Sequence, residues 1–192
     1  MKAINEEQFQ KEFVNFGNNL SFCGLNTFYD TADLYGKLRT ASCALNEDTG
    51  CAYPGSLLVH INLTTALALR IYKMISGTFN NISEESIVKV CCLMHLSKIE
   101  MYEPNDNQWE VDKRGLLYKF SDKLTGKLKF GERSILNAMN IGIKLEPEEF
   151  EAIKCLDNEK DSITKYGDSI LTTIVRQANE LAYAIEKEKS LK

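Results

Sequence analysis

Leu57-Leu58-Val59-His60-Ile61-Asn62-Leu63-Thr64-Thr65-Ala66-Leu67-Ala68-Leu69-Arg70-Ile71-Tyr72-Lys73-Met74-Ile75 is apolar almost all round when wound into a helix, with His60, Asn62 and Arg70 as its main interruptions. A helix without a broad polar face has to be surrounded, so this one belongs in the middle of a domain. Gly77 ends it. Ser83 suits the N-cap of the next helix, Glu84 and Glu85 fall in its first turn where the helix dipole favours negative charge, and Ile82 and Ile87 have the spacing of a hydrophobic staple. That helix runs through Val88, Val90, Leu93 and Met94 to His95, and Lys98 follows within a turn.

Outward from this pair, Phe9, Phe13 and Phe16 recur at helical spacing, so residues about 5–16 form an amphipathic helix that Gly17 and Asn18-Asn19 terminate. A second helix runs from about Thr31 to Leu45, with Leu34, Leu38, Ala41 and Leu45 on one face, and the polar stretch from Asn46 to Pro54 is a loop. Residues 104–107 make a turn. Trp109-Glu110-Val111 and Leu116 to Phe120 flank Asp112-Lys113-Arg114-Gly115 as a small β-hairpin at about 107–121, with Trp109 as a packing residue. Helices resume at about 132–141 and about 146–156, the latter with Pro147 in its first turn. The last helix, about Asp168–Lys187, aligns Leu171, Ile174, Ala178, Leu181 and Ile185. The expectation is an all-α fold with one hairpin insertion: residues 1–48 pack as a helical segment on a domain spanning 49–192.

Bulk properties narrow the function classes. A chain of 192 residues with 44% hydrophobic and 26% charged content is an ordinary globule of one domain. Its net charge of −4 gives no electrostatic reason to expect nucleic acid, and no apolar run reaches the length of a membrane span. Met1 to Lys11 is too polar for a secretory signal. The six cysteines (Cys23, Cys43, Cys51, Cys91, Cys92, Cys155) show no C-x-x-C pair or regular spacing, so reduced thiols in a cytoplasmic protein are expected. Sequons occur at Asn19, Asn62 and Asn81; the one at Asn62 lies inside the apolar helix, where a glycan has no room.

Four ordered segments carry a family resemblance. Ala52-Tyr53-Pro54-Gly55-Ser56-Leu57-Leu58-Val59-His60 is similar to the A-Y-P-G-G-L-L-E-H-like stretch that opens the first metal-histidine helix of the HD-domain metal-dependent phosphohydrolases of bacterial and phage type. Leu93-Met94-His95-Leu96-Ser97-Lys98-Ile99 resembles L-L-H-D-L-G-K-I of that family. Phe130-Gly131-Glu132-Arg133-Ser134-Ile135 with Lys144 to Ile153 resembles H-G-E-K-S-V followed by K-L-T-x-E-E-x-x-A-I-R-W-H, and Arg176-Gln177-Ala178-Asn179-Glu180-Leu181-Ala182 resembles H-x-A-D-x-L-A. The resemblance covers about residues 50–187 and implies an HD-like helical bundle.

In such enzymes a histidine, a His-Asp doublet and a last aspartate hold one or two divalent cations that activate water for attack on phosphorus. By this resemblance His60 and His95 stand at the metal histidines. Leu96 follows His95, and the spacing to Lys98 is one residue short, as a deleted aspartate leaves it. Asn179 stands at the last aspartate, and Phe130 and Leu156 at two accessory histidines. Two imidazoles without carboxylates hold magnesium, manganese or zinc poorly. The resemblance therefore implies a vestigial metal site at His60 and His95 with at most weak divalent metal binding. It implies no catalytic residue, and a ligand cleft formed by His60, His95, Lys98 and Asn179. The resulting protein is a non-catalytic binder or regulator of a nucleotide, a phosphorylated metabolite or a protein partner, with no role at a membrane or nucleic acid. A rival reading is a weak metal-dependent phosphohydrolase with a site rebuilt from His60, His95 and Cys91 or a nearby carboxylate. A third is a structural protein whose cleft is filled by side chains such as Leu96, Phe130 and Leu156.

Overall fold

The computed structural model of the protein describes residues 4–29, 33–78, 82–124, 126–157 and 168–191. Its helices are α1 (Glu6–Phe22), α2 (Asn26–Tyr29), α3 (Leu34–Thr40), α4 (Ser56–Ile75), α5 (Glu84–Leu93), α6 (Lys98–Met101), α7 (Gln108–Arg114), α8 (Phe130–Asn140), α9 (Pro147–Lys154) and α10 (Ile170–Ser190). Strands β1 (Tyr102–Pro104) and β2 (Tyr118–Phe120) form a small antiparallel sheet, pairing Tyr102 with Phe120 and Pro104 with Tyr118. The architecture is mostly helical, and no described helix is long and apolar enough to cross a membrane.

Helix α4 is the axis. Its first two-thirds are enclosed, with Leu57, Leu58, His60, Ile61, Thr64, Thr65, Leu67 and Ala68 buried, whereas Met74 near its end is 84% exposed. It packs along α10 and α5, and α1 lies across α4 and α5. One hydrophobic cluster runs from Ile4 to Ala182. The entry into α4 is set by Ser56 and Gly55. Gly55 sits at φ +82, where a side chain would also meet the Ile4 methyl at 2.8 Å, so glycine is required. Helix α5 begins as its sequence predicts, with Ser83 Oγ accepting from the Ser86 amide at 3.0 Å.

Several expectations are corrected. Helix α1 runs six residues past Phe16, to Phe22, because buried Leu20 prolongs the apolar face over Gly17 and the two asparagines. It ends where Gly24, at φ +71, lets the Leu25 amide reach Leu20 O at 2.8 Å. The helix expected over 31–45 stops at Thr40; residues 31 and 32 lie outside the described residues. Ala41 is extended because its carbonyl turns back to accept the Gly55 amide at 3.0 Å. The hairpin expected at 107–121 is displaced: residues 108–114 are helix α7, and the first strand lies at 102–104. Asn107 caps α7, Gly115 closes it at φ +62, and the Arg114–Glu110 pair links its turns. Two apolar residues at alternate positions, Trp109 and Val111, are too short a pattern to separate strand from helix. Trp109 is 62% exposed and does not pack in the core. Along α10 the buried stripe runs Leu171, Ile174, Val175, Ala178, Asn179, Ala182 and Glu186, leaving Leu181 half exposed. The sequon at Asn81 lies outside the described residues. Asn62 gives its amide to Glu12 O at 2.8 Å and Glu12 Oε2 at 2.7 Å.

Candidate functional site

Three elements bring the singled-out residues together. His60 comes from the second turn of α4. His95 comes from the turn that follows α5, one residue beyond its cap Met94, where Ser134 of α8 fixes the chain: its hydroxyl donates to Met94 O at 3.0 Å and accepts the Ser97 amide at 3.1 Å. Asn179 comes from the middle of α10. The two imidazoles stand edge to face, 4.8 Å between centroids, and both are fully buried.

Asn179 Oδ1 lies 2.9 Å from His60 Nε2 and 2.8 Å from His95 Nε2. An amide oxygen only accepts, so both Nε2 atoms carry the proton and donate to it. His60 Nδ1 meets Glu186 Oε2 at 2.7 Å, a charge-assisted contact between side chains that are 0% and 5% exposed. Burial alone would lower the His60 pKa, but the sulfur of Cys43 and the Glu186 carboxylate overcome it and raise it to about 10. His95 has no such anion. Burial, the Lys98 ammonium and the charge on His60 push it well below its usual value, so it is the neutral Nε2–H tautomer with Nδ1 unpartnered. Glu186 itself is raised, chiefly by burial, and its Oε1 makes no hydrogen bond.

A second layer surrounds this triad. Lys98 is 6% exposed, and its ammonium donates to Cys43 O at 2.8 Å and Tyr183 Oη at 2.6 Å, with Cys43 Sγ at 3.6 Å. Tyr183 lies over the His60 ring at 4.2 Å, and its hydroxyl is 3.4 Å from Cys43 Sγ. Because Tyr183 Oη accepts from Lys98, its own proton is free to point at that sulfur. Burial pushes the Cys43 thiol up, but the hydrogen bond from the Cys51 thiol and the charges of His60 and Lys98 win and hold it well below the ordinary range. Cys51, the donor, is raised by the same bond. Outside Lys98, the Phe130 ring lies 5.9 Å from its ammonium, meets Tyr102 edge to face and is tilted against Phe120.

The four residues expected to line a ligand cleft, His60, His95, Lys98 and Asn179, do meet, but in the interior: none is more than 9% exposed. Cys91 does not share a helical face with His95, because α5 ends at Leu93; its thiol bonds to Thr65 instead. Leu96 is buried, while Leu156 is only partly so. The donor set does not fit a divalent cation as it stands. Both Nε2 atoms spend their protons on Asn179, and the imidazolium at His60 repels positive charge. Among the described residues no group of three or more His, Cys, Asp or Glu is arranged to hold a metal. What the arrangement does is neutralise buried charge: the His60–Glu186 and Lys98–Cys43 contacts each place an acid beside a base inside the core.

Sequence reasoning missed Cys43, Tyr183 and Glu186. The signal for the last two was present in their spacing, since Asn179, Tyr183 and Glu186 sit at i, i+4 and i+7 on one face of α10. A cavity of about 770 Å³ lies beyond Glu186, bounded in part by Ile4, Glu47, Tyr53, Val59 and Lys189. Comparison with known proteins finds no matching family model, no matching curated protein and no matching solved structure.

Proposed function

We propose that this protein is a non-catalytic relative of the HD-domain phosphohydrolases, a binding or regulatory protein in which the metal centre has become a hydrogen-bonded core. One observation carries the reading: Asn179 Oδ1 accepts from both imidazoles, at 2.9 and 2.8 Å. In the resemblance drawn from the sequence, Asn179 and the two histidines are the residues that would share a cation. A neutral amide linking two N–H donors serves the fold and leaves no lone pair on either Nε2 for a metal. Lys98 is buried and bonded to Cys43 and Tyr183, and His60 is buried and paired with Glu186, so neither charge is open to a phosphate group, which favours a protein partner over a phosphorylated ligand.

The test is restoration. Inserting an aspartate between His95 and Leu96, together with Asn179→Asp, returns two anionic donors to the histidines. That double variant is expected to gain thermal stability on addition of manganese, zinc or nickel, while the parent shows neither a metal-dependent shift nor hydrolysis of a chromogenic phosphoester. One equivalent of metal in the purified parent, with metal-dependent phosphoester hydrolysis, would overturn the proposal in favour of the rival enzyme. A well-folded double variant indifferent to all three metals would sever the link to the HD family.

A further inference from the structure

We infer that Cys43 and Cys51 form a redox pair that closes to an intramolecular disulfide under hydrogen peroxide. The inference does not depend on the family resemblance.

Three features of the structure converge on this pair. First, the two residues are clamped together. Ser56 Oγ accepts the Cys43 amide at 2.9 Å and donates to Cys51 O at 2.6 Å, so one hydroxyl joins the two backbones, and the Cys51 thiol lies within reach of both the Cys43 sulfur and, at 3.5 Å, Thr49 Oγ1. Second, the charges beside Cys43 suit a thiolate, the form that reacts with peroxide. The Lys98 ammonium is 3.6 Å and the Tyr183 hydroxyl 3.4 Å from its sulfur. Third, the chain between them, residues 44–50, contains one short 3-10 turn (Glu47–Thr49) and Gly50 at φ +75. It is tied to the segment after α7 by Glu47 N to Gly115 O at 2.9 Å and Tyr118 N to Leu45 O at 3.1 Å, so it opens, without unwinding α3 or α4, once those bonds break. No comparable environment surrounds the other thiols. Cys23 donates to the carbonyls of Asn19 and Leu20 in its own helix, Cys91 bonds to Thr65, and burial alone dominates at Cys92.

The chemistry balances with peroxide as the oxidant. The Cys43 thiolate attacks one peroxide oxygen, the O–O bond breaks, and hydroxide leaves with its electron pair, giving a sulfenic acid. The Cys51 sulfur then attacks Cys43 Sγ, and the S–O bond breaks. The departing hydroxide takes the Cys51 proton and leaves as water, and the hydroxide from the first step takes up the proton that the Cys43 thiol released on ionising. Two thiols and one peroxide become one disulfide and two waters. Hydrogen peroxide is close to water in size, which is what a pair with no solvent exposure requires. Closing the bond removes the anion that faces Lys98 and His60, so the oxidation state of the loop is felt by the polar contacts of α10.

The sequence offers a clean readout. No lysine or arginine lies between Arg39 and Arg70, so trypsin releases residues 40–70 as one peptide holding Cys43, Cys51 and no other cysteine. The full chain is treated with hydrogen peroxide, alkylated in denaturant, digested and weighed. The expected peptide is two hydrogens lighter than the reduced form, unalkylated, and doubly alkylated after dithiothreitol. Its formation is expected about ten-fold faster than oxidation of Cys91 or Cys92. In Cys51→Ser the same treatment should leave a dimedone-reactive sulfenic acid at Cys43. Both thiols alkylated after exposure sufficient to oxidise the partly buried Cys155 would overturn the inference. So would over-oxidation of Cys43 with Cys51 still free in the parent chain.

Discussion

Replacing Asn179 with alanine should destabilise the protein severely. The carboxamide is 9% exposed, and its oxygen is the sole acceptor shown for two buried N–H groups, on His60 and His95. Removing it leaves both donors unpaired. Each such group costs about 1–3 kcal/mol, the upper end applying to the imidazolium at His60, so the loss is about 3–6 kcal/mol with the small void included. Domains of this size have a total stability of about 5–15 kcal/mol, so the variant sits near the limit of folding. The melting temperature should fall by roughly 10 °C or more, at about 2–4 °C per kcal/mol. Urea denaturation followed by far-ultraviolet circular dichroism measures the change. A double-mutant cycle adds specificity: once His95→Leu removes one of the two donors, Asn179→Ala should cost measurably less than in the parent. If Asn179→Ala lies within about 1 kcal/mol of the parent, the oxygen is not serving two buried donors and the description of the core fails.

Stability against pH should show a plateau bounded on both sides. On folding, His60 takes up a proton and Cys43 gives one up, so their effects offset between the unfolded values of 6.5 and 9.0. Above 9.0 the unfolded thiols ionise while buried Cys51, Cys91 and Cys92 resist, and His60 loses its raised proton near 10; stability is lost as pH rises. Below 6.5 the unfolded chain protonates His95 and the folded one does not, and His60 no longer offsets Cys43, so stability falls; His95→Gln should make that limb shallower in urea titrations, leaving the Cys43 part. Gly131→Ala should cost about 2 kcal/mol or more, because the new methyl meets Ile153 O at 2.7 Å and Lys154 Cα at 2.9 Å, both backbone atoms that cannot swing aside. Gly77→Ala, with open space around it, should stay within about 0.5 kcal/mol, and equal melting temperatures for the two variants would contradict the packing of α8 on α9.

The helices were legible where one strong pattern governed a long run. Apolarity on almost every face gave α4 to within a residue at its start, and Ser83 with two glutamates marked the beginning of α5. Boundaries failed where a distant partner decided them. Nothing near Ala41 in the sequence announces that its carbonyl will accept the Gly55 amide, and α3 ends there for that reason. Trp109 and Val111 alternate as a strand would, but the cap at Asn107 and the left-handed Gly115 make a helix of the segment. At the site, His60, His95, Lys98 and Asn179 were singled out by the resemblance to the HD-domain family, with the two histidines also conspicuous on apolar helices. Their meaning as a cleft was not recoverable, since whether they face water depends on Tyr183, Phe130 and the loop carrying Cys43. Glu186 lay hidden in a run of lysines and glutamates that reads as a solvated helix end, Glu186-Lys187-Glu188-Lys189.

The partners that complete the polar core lie far apart along the chain. His60 and Asn179 are separated by 119 positions, His60 and Glu186 by 126, and Cys43 and Tyr183 by 140. Closing loops of that length is entropically slow, and high contact order lowers folding rates. The earlier elements can collapse on α4 by burying phenylalanine and leucine, yet His60 meets the Glu186 carboxylate, and Lys98 the Tyr183 hydroxyl, only when α10 docks. The last long helix therefore acts as a late checkpoint. A chain that has gathered its apolar residues but placed α10 in the wrong rotation holds unneutralised charge in its interior, and that penalty returns it to search again.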